Sequence, residues 1–387
     1  MVRWNKYLFF IMISLLCLAV LVLYFATIQN GYDFGDYVVG RDFLNTHTGG
    51  MLISEGRWGI LFQPENYWVE IKKLHGADYP VHGWSYPPLL WPVSQFLALF
   101  PYFPAYLIWT LSGMGLVFVA ARICGLKWFW GVFVCLSPAG VWNIFAGQNG
   151  FFISSLMMIA VALKLKNRNV AAGLTWAMVA IKPHLGLCVL PMLVGQRRLR
   201  VIVWGAVFLA GAIALTAFFY GFEVWRLFLA VTSKGQVHVI ETWEGPVQWM
   251  MPSPFMQGRL LDFGVGQSYL FHIAFALICA VLLILRWPGR SQSLSRWILW
   301  LVLGTLLLLP YSFVYDLVML QFAAAMWFER DRNLFSGRAQ RREPIVIAIV
   351  WLLPILSALG ALAFRVQFAP FFLLFVLYHL PPTKDEQ

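Results

Sequence analysis

Two charged residues stand out by their surroundings. Asp42 lies in GRDFLNTHTGG, residues 40–50, shortly after the first apolar run of the chain. A carboxylate held beside a membrane surface can take a proton from a hydroxyl placed against it. The same residue also reads as the cap of a short amphipathic helix over FLNTHTGGMLISEG, and the sequence leaves capping and catalysis both open. Asp33 and Asp36 are rivals for the catalytic role. Lys182 lies in AIKPHLG, and the 27 other residues between Arg168 and Arg197 carry no full charge. Inserting an ionisable group there costs ~2.5–3.5 kcal/mol, so such a residue is a functional candidate by default. Pro183 breaks the helix directly after it and frees backbone groups that must face a cavity or a polar ligand. An ammonium with three donors suits a phosphate; snorkelling to the interface is the plain alternative. His184 is a weaker companion.

Three further motifs carry polar groups at the edges of apolar runs. In FAGQNGFF, residues 145–152, the glycines read as a helix–helix turn. The turn does not account for two adjacent amides, so Gln148 and Asn149 become ligand candidates, with capping by Asn149 as the alternative. In LPYSFVYDLVML, residues 309–320, Pro310, Tyr311 and Ser312 form a turn, and Asp316 lies one turn into the next apolar run. A buried aspartate there points to a ligand or to a partner, and Lys182 is the obvious partner. In GWSYPPLLWP, residues 83–92, paired prolines fix how the chain enters the membrane; Tyr86 reads as an aromatic anchor, with contact to a ligand at the interface as the alternative. His75, Asp78 and His82 are metal-type residues, but their spacing matches no closed site. No phosphate-binding loop, dinucleotide fingerprint or nucleophile elbow is present.

The elements that must position these groups are apolar. Hydrophobic residues make up 60% of the 387 residues and charged residues 12%, about half the charged share of a soluble domain. This excludes a soluble enzyme and a disordered chain and predicts an all-α polytopic membrane protein. The first apolar run, 7–28, reads as a retained transmembrane helix because it is longer than a signal-peptide core. Further runs lie near 88–100, 103–121, 128–145, 150–163, 169–181, 184–195, 201–220, 268–285, 297–309, 313–328, 345–363 and 367–380. Together they predict a single membrane domain over residues 1–387 with about twelve crossings. Polar segments 29–85 and 221–267 read as external loops. Trp58, Tyr67, Trp68, Tyr79, Trp84 and Tyr86 in the first suit the membrane interface. Cys17, Cys124, Cys135, Cys188 and Cys279 are scattered in apolar runs and form no disulfide framework.

Charge sets the orientation. If 88–121 crosses once and 169–195 is a hairpin, 19 of the 28 Lys and Arg residues fall on the cytoplasmic side: Arg3, Lys6, Arg122, Lys127, Lys164, Lys166, Arg168, Arg197, Arg198, Arg200, Arg286, Arg290, Arg296, Arg330, Arg332, Arg338, Arg341, Arg342 and Lys384. In the rival threading Arg122, Lys127, Lys164, Lys166 and Arg168 move outside and the count falls to 14. The positive-inside rule prefers the first. Both termini are then cytoplasmic and the chemistry sits at the external face. The net charge of +11 is a topology signal and not a sign of nucleic-acid binding.

Taken in order, these motifs resemble glycosyltransferase family 87. They are the Asp with its amphipathic stretch, Tyr-Pro-Pro-Leu, Gly-Gln-Asn, Lys-Pro within an apolar run, and Pro-Tyr-Ser followed by Asp. The resemblance covers roughly residues 30–320 in motif order. It implies a GT-C-type membrane bundle in a bacterial plasma membrane. It implies transfer of a hexose, mannose foremost, from a polyprenyl phosphate carrier to a lipid or glycan acceptor, with inversion. By the same resemblance Asp42 is the base that deprotonates the acceptor, and Lys182 steadies the departing lipid phosphate. Gln148, Asn149, His184, Tyr311 and Asp316 are candidates for sugar or phosphate contact. No cofactor, metal or nucleotide-sugar site is implied. One stretch departs from the family: Phe43-Leu44-Asn45-Thr46-His47 stands where many members carry a tyrosine-rich run, which leaves acceptor and sugar open. A transporter or flippase for a lipid-linked saccharide would share the broken helices and the intramembrane charges. It would commonly show repeated halves, and the sequence has none. A structural subunit of an envelope-assembly complex is a third reading.

Overall fold

The computed structural model describes residues 5–289, 292–331, 334–335 and 337–381. In chain order the first part contains α1 (Leu8–Ala26), α2 (Phe43–Ser54), α3 (Pro64–His75), α4 (Trp91–Ala98) and α5 (Tyr102–Ile123). Next come α6 (Phe129–Cys135), α7 (Pro138–Ala146), α8 (Gly150–Leu165), α9 (Asn169–Val179), α10 (Val189–Gly195) and α11 (Leu199–Tyr220). The second polar segment holds α12 (Glu223–Leu227), α13 (Ser233–Thr242), α14 (Pro246–Met250) and α15 (Pro254–Leu260). The chain closes with α16 (Val265–Leu285), α17 (Leu294–Leu308), α18 (Val318–Arg330), α19 (Glu343–Phe364) and α20 (Phe368–His379). Among the described residues the protein is all helical. The helices α1, α5, α11, α16 and α19 are long and apolar enough to cross a membrane. The bent pair α6–α7 passes the same test as one span, with a 61° break. Ser137 makes that break by accepting the Gly140 N–H ahead of Pro138. The other apolar helices, including α8, α9, α17 and α20, are shorter.

Proline decides how 88–121 is divided. The first α-helix of the run ends at Ala98, Pro101 stands at the N-cap of α5, and only α5 is long. The eight residues of α4 turn aside and pack on α2. The contact needs Gly49 and Gly50, where a Cβ would collide with the Trp84 ring and the Ser94 carbonyl. Residues 29–85 therefore fold into a helical cap with its own core, built on Phe43, Tyr67, Ile71 and Trp91 together with the start of α5 and Val224. Four of the six aromatic residues expected at the membrane interface are part of this core, with Trp58 packed half-buried against them: Tyr67, Tyr79, Trp84 and Tyr86 are buried. Their polar tips are satisfied inside it. Tyr67 donates to Asn45 Oδ1 at 3.0 Å and Trp84 to the Tyr86 carbonyl at 2.7 Å.

Basic groups gather at one end of the bundle. Lys6 and Lys127 both pair with Glu329, at 3.7 and 3.3 Å. Arg330 donates to the Cys124 carbonyl at 2.8 Å, Lys166 to that of Ile123 at 3.0 Å, and Arg198 to Asn167 at 2.6 Å. The first threading requires these groups to share an end, and the rival forbids it. Arg3, Arg290, Arg332 and Lys384 of the charge count lie outside the described residues. At the far end of α1, about 28 Å away for 19 residues, Tyr24 reaches Asp33 of the cap at 3.3 Å. Both polar segments meet at that end, where Gln236 of α13 donates to Ser85 at 2.8 Å.

Candidate active site

Asp42 occupies the N-cap position of α2, but its side chain makes no capping bond. Two contacts explain why. Its backbone N–H donates to the Ala146 carbonyl at the end of α7, 2.8 Å away. Its Oδ2 accepts from Gln148 Nε2 at 2.9 Å. The carboxylate is thus turned from its own helix toward the α7–α8 turn. Oδ1 lies 4.0 Å from the Arg41 Nε and accepts no hydrogen bond among the described residues, and the Asp42 side chain is 23% exposed. Arg41 stacks on the Tyr37 ring, which holds its charge beside the site. The rival Asp33 is a turn builder: its Oδ1 accepts the N–H groups of Gly35 and Tyr37.

The Gly-Gln-Asn-Gly turn is built by its glycines. Gly147 ends α7 in the left-handed region at φ +64°, and a Cβ on it would lie 2.6 Å from that of Phe43. A Cβ on Gly150 would collide with the Tyr315 carbonyl. The turn is therefore wedged between the cap and the loop before α18, and it presents both amides. Gln148 links Asp42 to Tyr86, whose hydroxyl donates to Gln148 Oε1 at 3.3 Å. Asn149 starts α8 without a capping bond, is 1% exposed, and has neither amide atom partnered.

Lys182 sits where α9 ends before Pro183, and its side chain is 10% exposed. It does not snorkel. Its Nζ lies 2.5 Å from Asp316 Oδ1 and 4.9 Å from the Tyr315 ring centre. Asp316 is fully buried, and its Oδ2 accepts the Phe313 N–H at 3.0 Å, which closes the turn after Pro310. Such charge-assisted bonds are the strong ones in a low dielectric. The pairing partner that the sequence suggested for Lys182 is the one found. His184 packs edge-on against the Tyr311 ring at 5.2 Å with Nε2 unpartnered. Tyr311 donates to Gln236 at 2.8 Å. Ser312 is buried, and its hydroxyl has no partner.

The carboxylate and the ion pair belong to one electrostatic field. Tyr86, in the loop before α4, has its phenol pushed up first by burial, then by the Asp42 and Asp316 carboxylates. Burial also raises the Tyr311 phenol, followed by Asp316, Tyr86 and Asp42. The two tyrosines therefore lie within reach of both charges. Sequence reasoning missed Arg41, Gln236, Ser312 and Tyr315 as members of the site and preferred an anchor to a ligand contact for Tyr86. The signals available were faint: Arg41 adjoins Asp42, and Ser312 and Tyr315 flank known candidates. Nothing in the sequence pointed to Gln236. His75 and His82 take separate partners, the Tyr32 hydroxyl and the Pro80 carbonyl. Among the described residues no three His, Cys, Asp or Glu side chains gather as metal ligands.

A model of glycosyltransferase family 87 matches residues 84–310, more than half of the chain. The chain belongs to that family. No curated protein and no solved structure matches it. This family 87 protein is therefore a membrane glycosyltransferase, with a sugar donor and an acceptor as its substrates. The matched segment contains Tyr86, Gln148, Asn149, Lys182 and His184. Asp42, Tyr311 and Asp316 lie outside it and join the site through the contacts above.

Proposed function

We propose that this protein transfers a hexose, mannose foremost, from a polyprenyl phosphate carrier to a lipid or glycan acceptor, with inversion. Asp42 is the general base and Lys182 the cation that meets the departing phosphate. The acceptor oxygen attacks the anomeric carbon while its proton passes to Asp42 Oδ1. The bond from that carbon to the phosphate oxygen breaks, and the lipid phosphate leaves with one more negative charge than it carried in the donor. The base needs a lone pair free for the proton. Gln148 occupies Oδ2, so Oδ1 is the available oxygen. The leaving group needs a positive partner. One Lys182 donor is held by Asp316 and two remain. The unpartnered groups of Asn149, Ser312 and His184 supply hydrogen bonds for sugar hydroxyls or phosphate oxygens, since buried polar atoms left unpaired cost about 1–3 kcal/mol each.

The observation that carries this reading is the turning of the Asp42 carboxylate away from its helix and onto Gln148. The proposed setting is a GT-C-type bundle of about twelve crossings, a single domain over residues 1–387 in a bacterial plasma membrane. Both termini are cytoplasmic, and segments 29–85 and 221–267 cover the site outside. The test is purified protein in lipid with radiolabelled polyprenyl-phosphate mannose, polyprenyl-phosphate glucose and nucleotide-linked mannose, each with a lipid extract as acceptor. Transfer from the lipid-linked mannose alone is expected. Transfer from the nucleotide sugar without a lipid-linked intermediate would overturn the donor assignment.

A further inference from the structure

Arg41 and Asp42 are neighbours in the chain, yet their side chains do not bond. Arg41 Nε lies 4.0 Å from Asp42 Oδ1, too far for a hydrogen bond. The backbone holds this gap. Tyr102 donates to the Val39 and Gly40 carbonyls at 2.8 and 3.0 Å. Gly40 takes φ +70°, and a Cβ on it would lie 2.5 Å from the Tyr106 ring. On the other side the Asp42 N–H is fixed on the Ala146 carbonyl at 2.8 Å. The Arg41 guanidinium rests on two soft contacts. Its Cζ lies 5.3 Å from the Tyr37 ring centre, and Nη2 donates to Met250 Sδ at 3.5 Å. Among the described residues neither Arg41 Nε nor Asp42 Oδ1 makes a hydrogen bond. Both side chains keep access to solvent, at 31% and 23% exposed.

A donor and a proton acceptor 4.0 Å apart have room for one shared oxygen. An oxygen about 2.8 Å from each makes an angle of about 90° between them. A hydroxyl placed there points its proton at Oδ1 and accepts the Nε–H on one lone pair. Its second lone pair is left for attack. We infer that Arg41 is a further catalytic residue, whose Nε–H holds the acceptor oxygen while Asp42 removes its proton. This rests on Asp42 being the general base. In the step, the free lone pair forms the bond to the anomeric carbon and the O–H bond breaks toward Oδ1. The bond from that carbon to the carrier phosphate breaks, and its electron pair leaves with the phosphate. Negative charge that builds on the acceptor oxygen meets the guanidinium. An inverting displacement sets the attacking oxygen and the departing group on opposite faces of the sugar. One cation therefore cannot serve both, and with Lys182 on the phosphate the attacking side needs its own.

Three substitutions separate this contact from an effect of charge alone. Glutamine carries its amide nitrogen on Cδ, where arginine carries Nε. Lysine keeps the charge but has no donor at that atom, and methionine keeps neither. The full-length variants and Asp42→Asn are assayed in lipid with the lipid extract as acceptor and whichever labelled donor the wild type transfers. Arg41→Met and Arg41→Lys should lower the transfer rate about 10²-fold with the donor KM unchanged. Arg41→Gln should transfer at least about tenfold faster than either, since it restores one donor to the same oxygen. The Arg41→Met deficit should persist at about pH 9, where carboxylates are ionised in any setting of this kind. All three variants lose the same guanidinium, so a general loss of stability would appear in each and not as a difference between glutamine and lysine. Arg41→Gln no better than Arg41→Lys would overturn the contact with the acceptor oxygen. A deficit that disappears at high pH would overturn it too, leaving Arg41 only to keep Asp42 ionised. A change confined to the donor KM would move Arg41 to the donor. Wild-type transfer by Asp42→Asn would remove the base on which the inference rests, whereas an inactive Asp42→Asn beside a fully active Arg41→Met would remove the role of Arg41 alone.

Discussion

Replacing Asp316 by Asn leaves an acceptor for the Phe313 N–H but removes the charge that faces Lys182. The pair is shielded from solvent, with side chains 10% and 0% exposed and 2.5 Å between Nζ and Oδ1. Breaking such a pair by deleting one partner costs about 3–5 kcal/mol, because the other charge is left buried and uncompensated. Lys182→Met should cost a similar amount, now with Asp316 stranded. The double variant removes both charges at nearly constant volume and should return to within about 1 kcal/mol of the wild type. Stability and chemistry then separate. The double variant is stable but has no cation for the leaving phosphate, so its transfer rate should fall about 10²–10³-fold. The five cysteines are all buried and free, so a thiol-reactive dye reports unfolding on heating, and radiolabelled transfer reports activity on the same samples. A double variant as unstable as the singles would refute the reading of this pair as an isolated buried couple. A stable double variant with wild-type transfer would reduce Lys182 to a structural residue.

Asp42→Asn should preserve accumulation and thermal stability, since the side chain caps nothing. It should lower transfer about 10²–10⁴-fold, and near-normal turnover would exclude it as the base. Asn149→Ala and Ser312→Ala remove buried polar atoms that have no protein partner. They should leave unfolding temperature unchanged or slightly raised while raising the donor KM; unchanged kinetics would show that neither group meets substrate. In the cap, burial holds the His47 and His75 imidazoles below their ordinary value of 6.5. The unfolded cap therefore binds protons first. Its stability should be level above about pH 6.5 and fall as the pH drops through that value. Protease cleavage within residues 29–85 should quicken from pH 7.5 to pH 5.5, and a flat profile would contradict the linkage.

Much of the membrane bundle was legible because an apolar helix announces itself by length and composition. The runs at 7–28, 201–220, 268–285 and 345–363 reappear as α1, α11, α16 and α19 with ends moved by a few residues. The run at 88–100 read as part of a crossing because apolarity does not say whether a segment faces lipid or a protein core. Its burial against Gly49 and Gly50 is a property of the packed pair. The same ambiguity misplaced the aromatic residues of the cap, since tyrosine and tryptophan suit a wet interface and a hydrogen-bonded core alike.

The sequence alone determined the solvent in which this chain folds, the division of charge between its ends, and a short roster of polar groups too costly to place in apolar runs without purpose. These follow from transfer free energies, which belong to each residue separately. The tertiary structure alone decided partners. Asp42 serves Gln148, 106 positions away, and Lys182 serves Asp316, 134 positions away. A capping bond or a snorkelling lysine is only the best local option. Which option wins depends on whether packing brings a better acceptor or donor within hydrogen-bond distance, and no single stretch of chain contains that information.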